Sequence, residues 1–207
     1  MTLLRRLHAR RERGDRGAVL IEFALVAPIL LMLVVGIFEY GNAYRQIGGV
    51  ERSSQQGART AASMANHRMA DYEALRAIDT ATRGLQGVSV DRVIIYRSTR
   101  ADGAVPNATC FTSSVSGVCN TYTGAQVRNT SPSGFSGGNP RATTCAGSVD
   151  AAWCPLGRSR QQATIARIGV HITLTYESVT NLLPTTITLE SEAVFQIDPC
   201  QQGETTC

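Results

Sequence analysis

Few side chains in this sequence are spaced to do chemistry on a substrate. The three histidines, His8, His67 and His171, fall in three separate predicted elements. Their spacing therefore assembles neither a metal site nor a Ser-His-Asp triad. The chain contains no phosphate-binding loop of the GxxxxGK type. We therefore expect a protein that is not an enzyme and that uses no metal or cofactor.

The six cysteines have a different chemistry. Their spacing lacks the C-x₂₋₄-C pairs that a zinc site needs, and all six lie in the second half of the chain. Disulfides are the default on the outer side of a membrane. Six cysteines allow 15 connectivities, and sequence proximity favours the three nearest-neighbour pairs: Cys110 with Cys119, Cys145 with Cys154, and Cys200 with Cys207.

The carboxylate of Glu22 is unusual because it lies inside an apolar run, 18–38, that only Glu22 and Pro28 interrupt. At about 1.5 Å per residue, a helix of this length crosses a hydrocarbon core of roughly 30 Å. A carboxylate costs about 2.5 to 3.5 kcal/mol at the centre of a span and less near its end, so we expect Glu22 to have a partner. Alternatively, Glu22 only snorkels to the cytoplasmic headgroups.

The charge of the chain is concentrated before that run. Residues 1–17 hold six arginines and two acids, which gives +4 and equals the net charge of the entire chain. Positive flanks stay on the cytoplasmic side. We therefore predict a basic cytoplasmic leader over 1–17, a single transmembrane helix over 18–39 of the cytoplasmic membrane, and an extracytoplasmic remainder. No nucleic-acid partner is expected. The small-x-small residues 41–43 offer the alternative of cleavage and secretion.

The residues beyond the span show two kinds of periodicity. Over 40–84, apolar and small residues recur every three or four positions, which predicts one amphipathic helix. Its middle is small (Ser54, Ala58, Ala61 and Ala65), so it can pack closely on the chain's own sheet, which we favour, or on a second copy. Residues 88–96, 167–176 and 185–197 are β-branched or alternate, and the short connection 178–184 predicts an antiparallel pair.

These elements predict an α+β protein in which a transmembrane helix extends into a long helix packed on a small antiparallel sheet. The sheet domain covers 85–207. Its segment 98–162 is rich in Gly, Ser, Thr and Asn and carries four of the cysteines. Such a stretch buries little apolar surface, so we expect disulfides to hold this insert in shape. One-sided alternation in the strands predicts one buried and one wet face of the sheet.

The segment around Gly17 resembles a known family. Gly17 followed five positions later by Glu22 matches a prepilin-peptidase site, and the match continues through 21–28 (Ile-Glu-Phe-Ala-Leu-Val-Ala-Pro) and 36–41 (Gly-Ile-Phe-Glu-Tyr-Gly). These residues resemble the TadE-like proteins of tight-adherence (Flp) pilus systems. The small-residue helix at 57–62 and the closing strands at 170–193 are similar to the family as well.

The resemblance implies a pilin-like fold and a function in pilus assembly. It implies cleavage by a prepilin peptidase between Gly17 and Ala18, after which Glu22 of one subunit pairs with the new amine on Ala18 of the next. The implied partners are the cytoplasmic membrane, other pilin or pseudopilin subunits and the tight-adherence secretion machinery. The alternative is an extracytoplasmic binding or adhesion module on a signal anchor that joins no fibre.

Overall fold

A computed structural model of the protein describes residues 2–135, 144–161, 164–178 and 186–199, and the side chains from Gly17 onward. Three α-helices and four β-strands follow one another along these residues. They are α1 (Thr2–Met64), α2 (Ala70–Thr82), β1 (Val88–Arg97), β2 (Cys119–Thr123), α3 (Gly124–Arg128), β3 (Arg167–Glu177) and β4 (Thr186–Gln196). Short 3₁₀ turns occupy Ala108–Phe111, Pro132–Gly134 and Pro155–Gly157. The fold is α+β, as predicted.

Helix α1 is 63 residues long and joins the predicted leader, span and first part of the amphipathic helix without interruption. It ends where Ala65 adopts a left-handed conformation with φ of 51°. The His67 amide then donates to the Met64 carbonyl at 2.8 Å, and the chain turns back. Left-handed residues of this kind terminate helices because they point the next residues away from the helix axis.

The prediction of one continuous helix over 40–84 is therefore wrong beyond Met64. The chain reverses at 65–69, and α2 packs back along α1 so that Ile78 lies against Gly57 and Leu85 against Gly49. This reversal buries the apolar face of α2, including Leu75 and Ile78, which are both fully buried. A straight helix would have left that face in solvent.

The sheet has the order β2-β1-β3-β4, and every neighbouring pair is antiparallel. The three predicted strands correspond to β1, β3 and β4. In the register of the last pair, Val170 lies opposite Ala193 and Leu174 opposite Leu189. Their side chains face α1 and α2, so the main core lies between the helices and this side of the sheet.

The other face of the sheet is only partly exposed to solvent, which differs from the prediction of one buried and one solvent-exposed face. Part of the insert folds over it and forms a second, small core, whose buried members are Ile94, Tyr96, Cys110 and Cys119. Phe111 and Val115 pack against this cluster. The expectation that the insert buries little apolar surface was therefore wrong, because its few apolar residues cluster around a disulfide.

The insert also contributes to the main sheet and the main core. It supplies β2, whose Tyr122 is fully buried, and its residues Phe135 and Trp153 enter the main core. Cys110 is bonded to Cys119 and Cys145 to Cys154. These are two of the nearest-neighbour pairs, whereas Cys200 and Cys207 lie outside the described residues.

The small face of α1 is used within the chain. Ser54, Ala58, Ala61 and Ala65 are all buried, and the three alanines belong to the main core. The Ser54 hydroxyl lies 2.8 Å from the Ser191 hydroxyl on β4. This face therefore packs on the chain's own sheet and α2, which is the arrangement that the sequence favoured over a second copy.

Candidate functional site

The first candidate site is the N-terminal part of α1, where the helix leaves the domain. The large apolar side chains from Val19 to Phe38, except the half-buried Val35, are about half to three quarters exposed; Ile37, for example, is 73% exposed. One described helix, over Gly17–Ser63, is long and apolar enough to cross a membrane, and none of its apolar window is buried. Exposing one such side chain to water forfeits about 1.5 to 3 kcal/mol. This stretch therefore requires lipid or other helices around it.

Gly17, Ala18 and Glu22 lie together at the start of this exposed stretch, within about five residues of helix. All three are exposed, and no described atom lies within 4 Å of the position that a Cβ on Gly17 would occupy. Glu22 makes no hydrogen bond or ion pair with any side chain that the structure describes. The three residues are accessible together, and any partner for the Glu22 carboxylate lies beyond the described part of this chain.

The exposed stretch ends where the domain begins to cover one side of α1. Phe38 and Tyr40 are 63% and 70% exposed, but Glu39 between them is fully buried. The amide of Asn42 donates a hydrogen bond to the hydroxyl of Tyr176 on β3 at 3.2 Å. From this point onward the helix is fixed to the sheet, and the domain begins.

A second cluster of functional groups lies inside the domain and is closed to solvent. The Asp71 carboxylate on α2 pairs with the Arg158 guanidinium at 2.6 Å, and both side chains are fully buried. The other carboxylate oxygen of Asp71 accepts hydrogen bonds from Asn120 and Tyr122, each at 2.8 Å. Burial, followed by the charge of Asp71, raises the pKa of Tyr122 well above its usual value, so this hydroxyl stays protonated and donates.

The insert is fixed to the sheet through the same cluster. The side-chain amide of Asn120 donates to the backbone carbonyl of Trp153 at 2.9 Å and accepts from the backbone amide of Trp153 at 2.8 Å. The guanidinium of Arg158 stacks over the Trp153 ring at 4.1 Å, a cation–π contact. We infer a structural role for this buried cluster, because it joins α2, β2 and the second disulfide loop.

Sequence reasoning missed this cluster because its members come from three separate stretches, 71, 120–122 and 153–158. One signal was present: Asp71 shares the helical phase of Leu75 and Ile78, which places a carboxylate on a buried face. A buried carboxylate needs a cationic partner. Nothing in the local sequence around Arg158, however, indicates that it is that partner.

The two histidines whose side chains the structure describes, His67 and His171, lie in different elements. His67 lies in the turn after α1, where its ring accepts a hydrogen bond from the Met69 amide at 3.1 Å. His171 lies on β3, 3.8 Å from the Glu192 carboxylate and edge-on to the Phe111 ring. Among the described side chains, no three metal-ligating groups come together.

The apolar segment is similar to one known protein family. Residues 17–59 match the family model described as TadE-like protein. Over this segment the chain is similar to the TadE-like proteins. The match covers the Gly17–Glu22 motif, the apolar run and the first part of α1 that packs on the sheet. No curated protein and no solved structure matches the chain.

Proposed function

We propose that this protein is a TadE-like pseudopilin or minor pilin that takes part in assembling or priming a tight-adherence pilus. The observation that supports the proposal best is the exposed apolar half of α1, which falls inside the TadE-like match and runs without a break into the domain. Its work is interaction and not catalysis. Its partners are the cytoplasmic membrane, other pilin-like subunits and the secretion machinery of the pilus.

The orientation follows from charge. The arginine-rich residues before Gly17 remain in the cytoplasm, and the sheet domain with its disulfides lies outside. Protease added to spheroplasts should therefore digest the sheet domain while the membrane is intact. Digestion that begins only after lysis would contradict this orientation.

Within this proposal Glu22 mediates subunit contact. Prepilin peptidase cleaves after Gly17, and the new ammonium group on Ala18 of one subunit pairs with the Glu22 carboxylate of its neighbour. Both residues are exposed on the same helical segment, which leaves them accessible to such a neighbour. In the low dielectric of the membrane, an ammonium without its carboxylate partner is strongly disfavoured.

The test compares two substitutions in the motif with a control on the same helix. Glu22→Gln keeps the side-chain size and removes the charge, so the protein should accumulate in the membrane but fail to co-purify with pilus components. Gly17→Leu should block the cut, and mass spectrometry of the N-terminus should show the longer product. Glu51→Gln changes an exposed glutamate outside the apolar run and should behave like wild type.

The outcome also separates two roles. A wild-type N-terminus at Ala18 supports a processed subunit that joins or primes the fibre, whereas an intact leader supports an anchored component of the assembly machine. If Glu22→Gln co-purifies with pilus components as well as wild type does, the carboxylate is a passive snorkelling residue. The proposal for Glu22 would then be wrong.

A further inference from the structure

Three arginines form a stripe along the part of α1 that lies beyond the apolar run. Arg45, Arg52 and Arg59 recur every seven residues, so they lie nearly in line over about 21 Å of helix. All three are exposed, and none pairs with an acidic residue in the part of the chain that the structure describes. Two other exposed arginines are paired with acidic residues: Arg76 with Glu73, and Arg83 with Asp79.

The arginine stripe points away from the sheet. The residues of α1 that contact the core include Val50, Gly57 and Ala61, which are buried. At 100° per residue, the arginines lie on the opposite side of the helix from these positions. The stripe therefore forms the back of the molecule, on the far side of the helix layer from the sheet.

The front of the molecule carries the opposite charge. Glu190 and Glu192 on β4 and Glu177 on β3 share the face of the sheet that points away from the helices, and all three are exposed. Asp91 lies on the same face, where it accepts a hydrogen bond from Thr175 at 2.6 Å. We call these four carboxylates the acidic face. Arg92, opposite Thr173, and His171, 3.8 Å from the Glu192 carboxylate, lie on this face as well.

The arginine stripe and the acidic face lie at the same height above the membrane. Ser191, between Glu190 and Glu192, is hydrogen-bonded to Ser54, which lies between Arg52 and Arg59 in α1. Nearer the membrane, the contact between Asn42 and Tyr176 places Glu177 close to the level of Arg45. Two copies standing side by side in one membrane can therefore bring the surfaces together without tilting or sliding.

We propose that the arginine stripe of one copy binds the acidic face of the next copy, front to back. This contact uses two different surfaces, so it leaves a free stripe at one end and a free acidic face at the other, and it can continue into a row. Complementary charges of this kind fix register and orientation and exclude back-to-back pairing of two arginine stripes. The partner is a second copy of this chain. Only the common orientation of the two copies in one membrane rests on the proposed function.

The test is cross-linking between copies of the full-length chain in membranes. A photo-reactive amino acid at Gln56, which is exposed beside the stripe, should cross-link to an epitope-tagged second copy. The double variant Arg52→Glu/Arg59→Glu should lower the yield about tenfold, because it sets like charges against each other. Glu190→Arg/Glu192→Arg should do the same. A double reversal at the internally paired Arg76 and Arg83 is the matched control and should keep the wild-type yield.

Complementation separates a lost contact from a damaged fold. A chain that carries both double reversals should cross-link to itself again, because its stripe is acidic and its opposite face is basic. Wild-type yields from either double reversal alone, or no recovery in the combined variant, would overturn the proposal. A wild-type chain that gives no cross-link but co-purifies with pilus components would overturn the contact between copies and leave the proposed function intact.

Discussion

Replacing Asp71 by asparagine keeps the shape of the side chain and removes the negative charge that faces Arg158. The two groups are 2.6 Å apart, and both are fully buried. The substitution leaves the buried guanidinium of Arg158 without the negative charge of Asp71 that pairs with it. Removing one partner of a buried ion pair costs about 3 to 5 kcal/mol, a large part of the roughly 5 to 15 kcal/mol that stabilises a typical domain.

The opposite substitution, Arg158→Met, should cost a similar amount because it strands the carboxylate and loses the contact with the Trp153 ring. The double variant Asp71→Asn/Arg158→Met leaves neither charge behind. Its loss should therefore stay near that of either single variant, about 3 to 5 kcal/mol, and well below the sum of the two. This non-additivity is the signature of a direct interaction between the two charges.

Urea unfolding of the full chain in detergent, followed by fluorescence, measures these differences, because Trp153 is the one tryptophan of the sequence and stacks on Arg158. The control is Asp79→Asn/Arg83→Met, since that ion pair has the same 2.6 Å separation but its arginine is 71% exposed. The control should change the unfolding midpoint little. A loss below about 1 kcal/mol for Asp71→Asn, or strict additivity in the double variant, would refute the reasoning.

Three further outcomes are expected. Burial, opposed by the nearby glutamates, lowers the pKa of His171 in the folded chain. As the pH drops through about 6.5, the imidazole therefore binds a proton more readily in the unfolded chain, and the free energy of unfolding should fall. His171→Gln should abolish that part of the pH dependence of unfolding. Gly57→Ala should lower the free energy of unfolding by about 1 to 3 kcal/mol, because the new Cβ would lie 2.5 Å from Ile78. A Cβ on Gly48 meets no described atom within 4 Å, so Gly48→Ala should stabilise the helix by roughly 0.5 to 1 kcal/mol in the same unfolding assay. Replacing the Cys110–Cys119 bridge by two alanines should cost about 2 to 5 kcal/mol, with early proteolysis of the insert as the readout; unchanged protease resistance would contradict it.

The strands that sequence reasoning found are 10 or 11 residues long and carry alternating or β-branched side chains. β3 alternates because one of its sides faces the helices along its whole length, and the pattern can be read without knowing the neighbours. β2 was missed because it has only five residues, and most of them are polar. Its place in the sheet depends on pairing with β1, a tertiary contact that leaves no periodic signal in so short a segment.

The helix reversal was missed for a related reason. The apolar residues of α1 recur every three or four positions, and Ala65, Met69 and Tyr72 continue this spacing across the turn. They do so because α1 and α2 both face the same core. The spacing of apolar residues indicates which residues are buried, but it does not indicate whether the helix continues in the same direction. A glycine at position 65 would have indicated the end of α1, but the chain has an alanine in the left-handed conformation there.

Adjacent glycines such as Gly48 and Gly49 permit a helix to bend, but the structure gives Gly49 a role in packing. A Cβ on Gly49 would lie 2.3 Å from Leu85, so the glycine permits close packing of the chain after α2. From Asn42 to Ala61 the same helix is bound to the sheet by the Tyr176 and Ser191 contacts and by buried small residues. A force applied to the apolar half of α1 is therefore transmitted directly to the sheet domain.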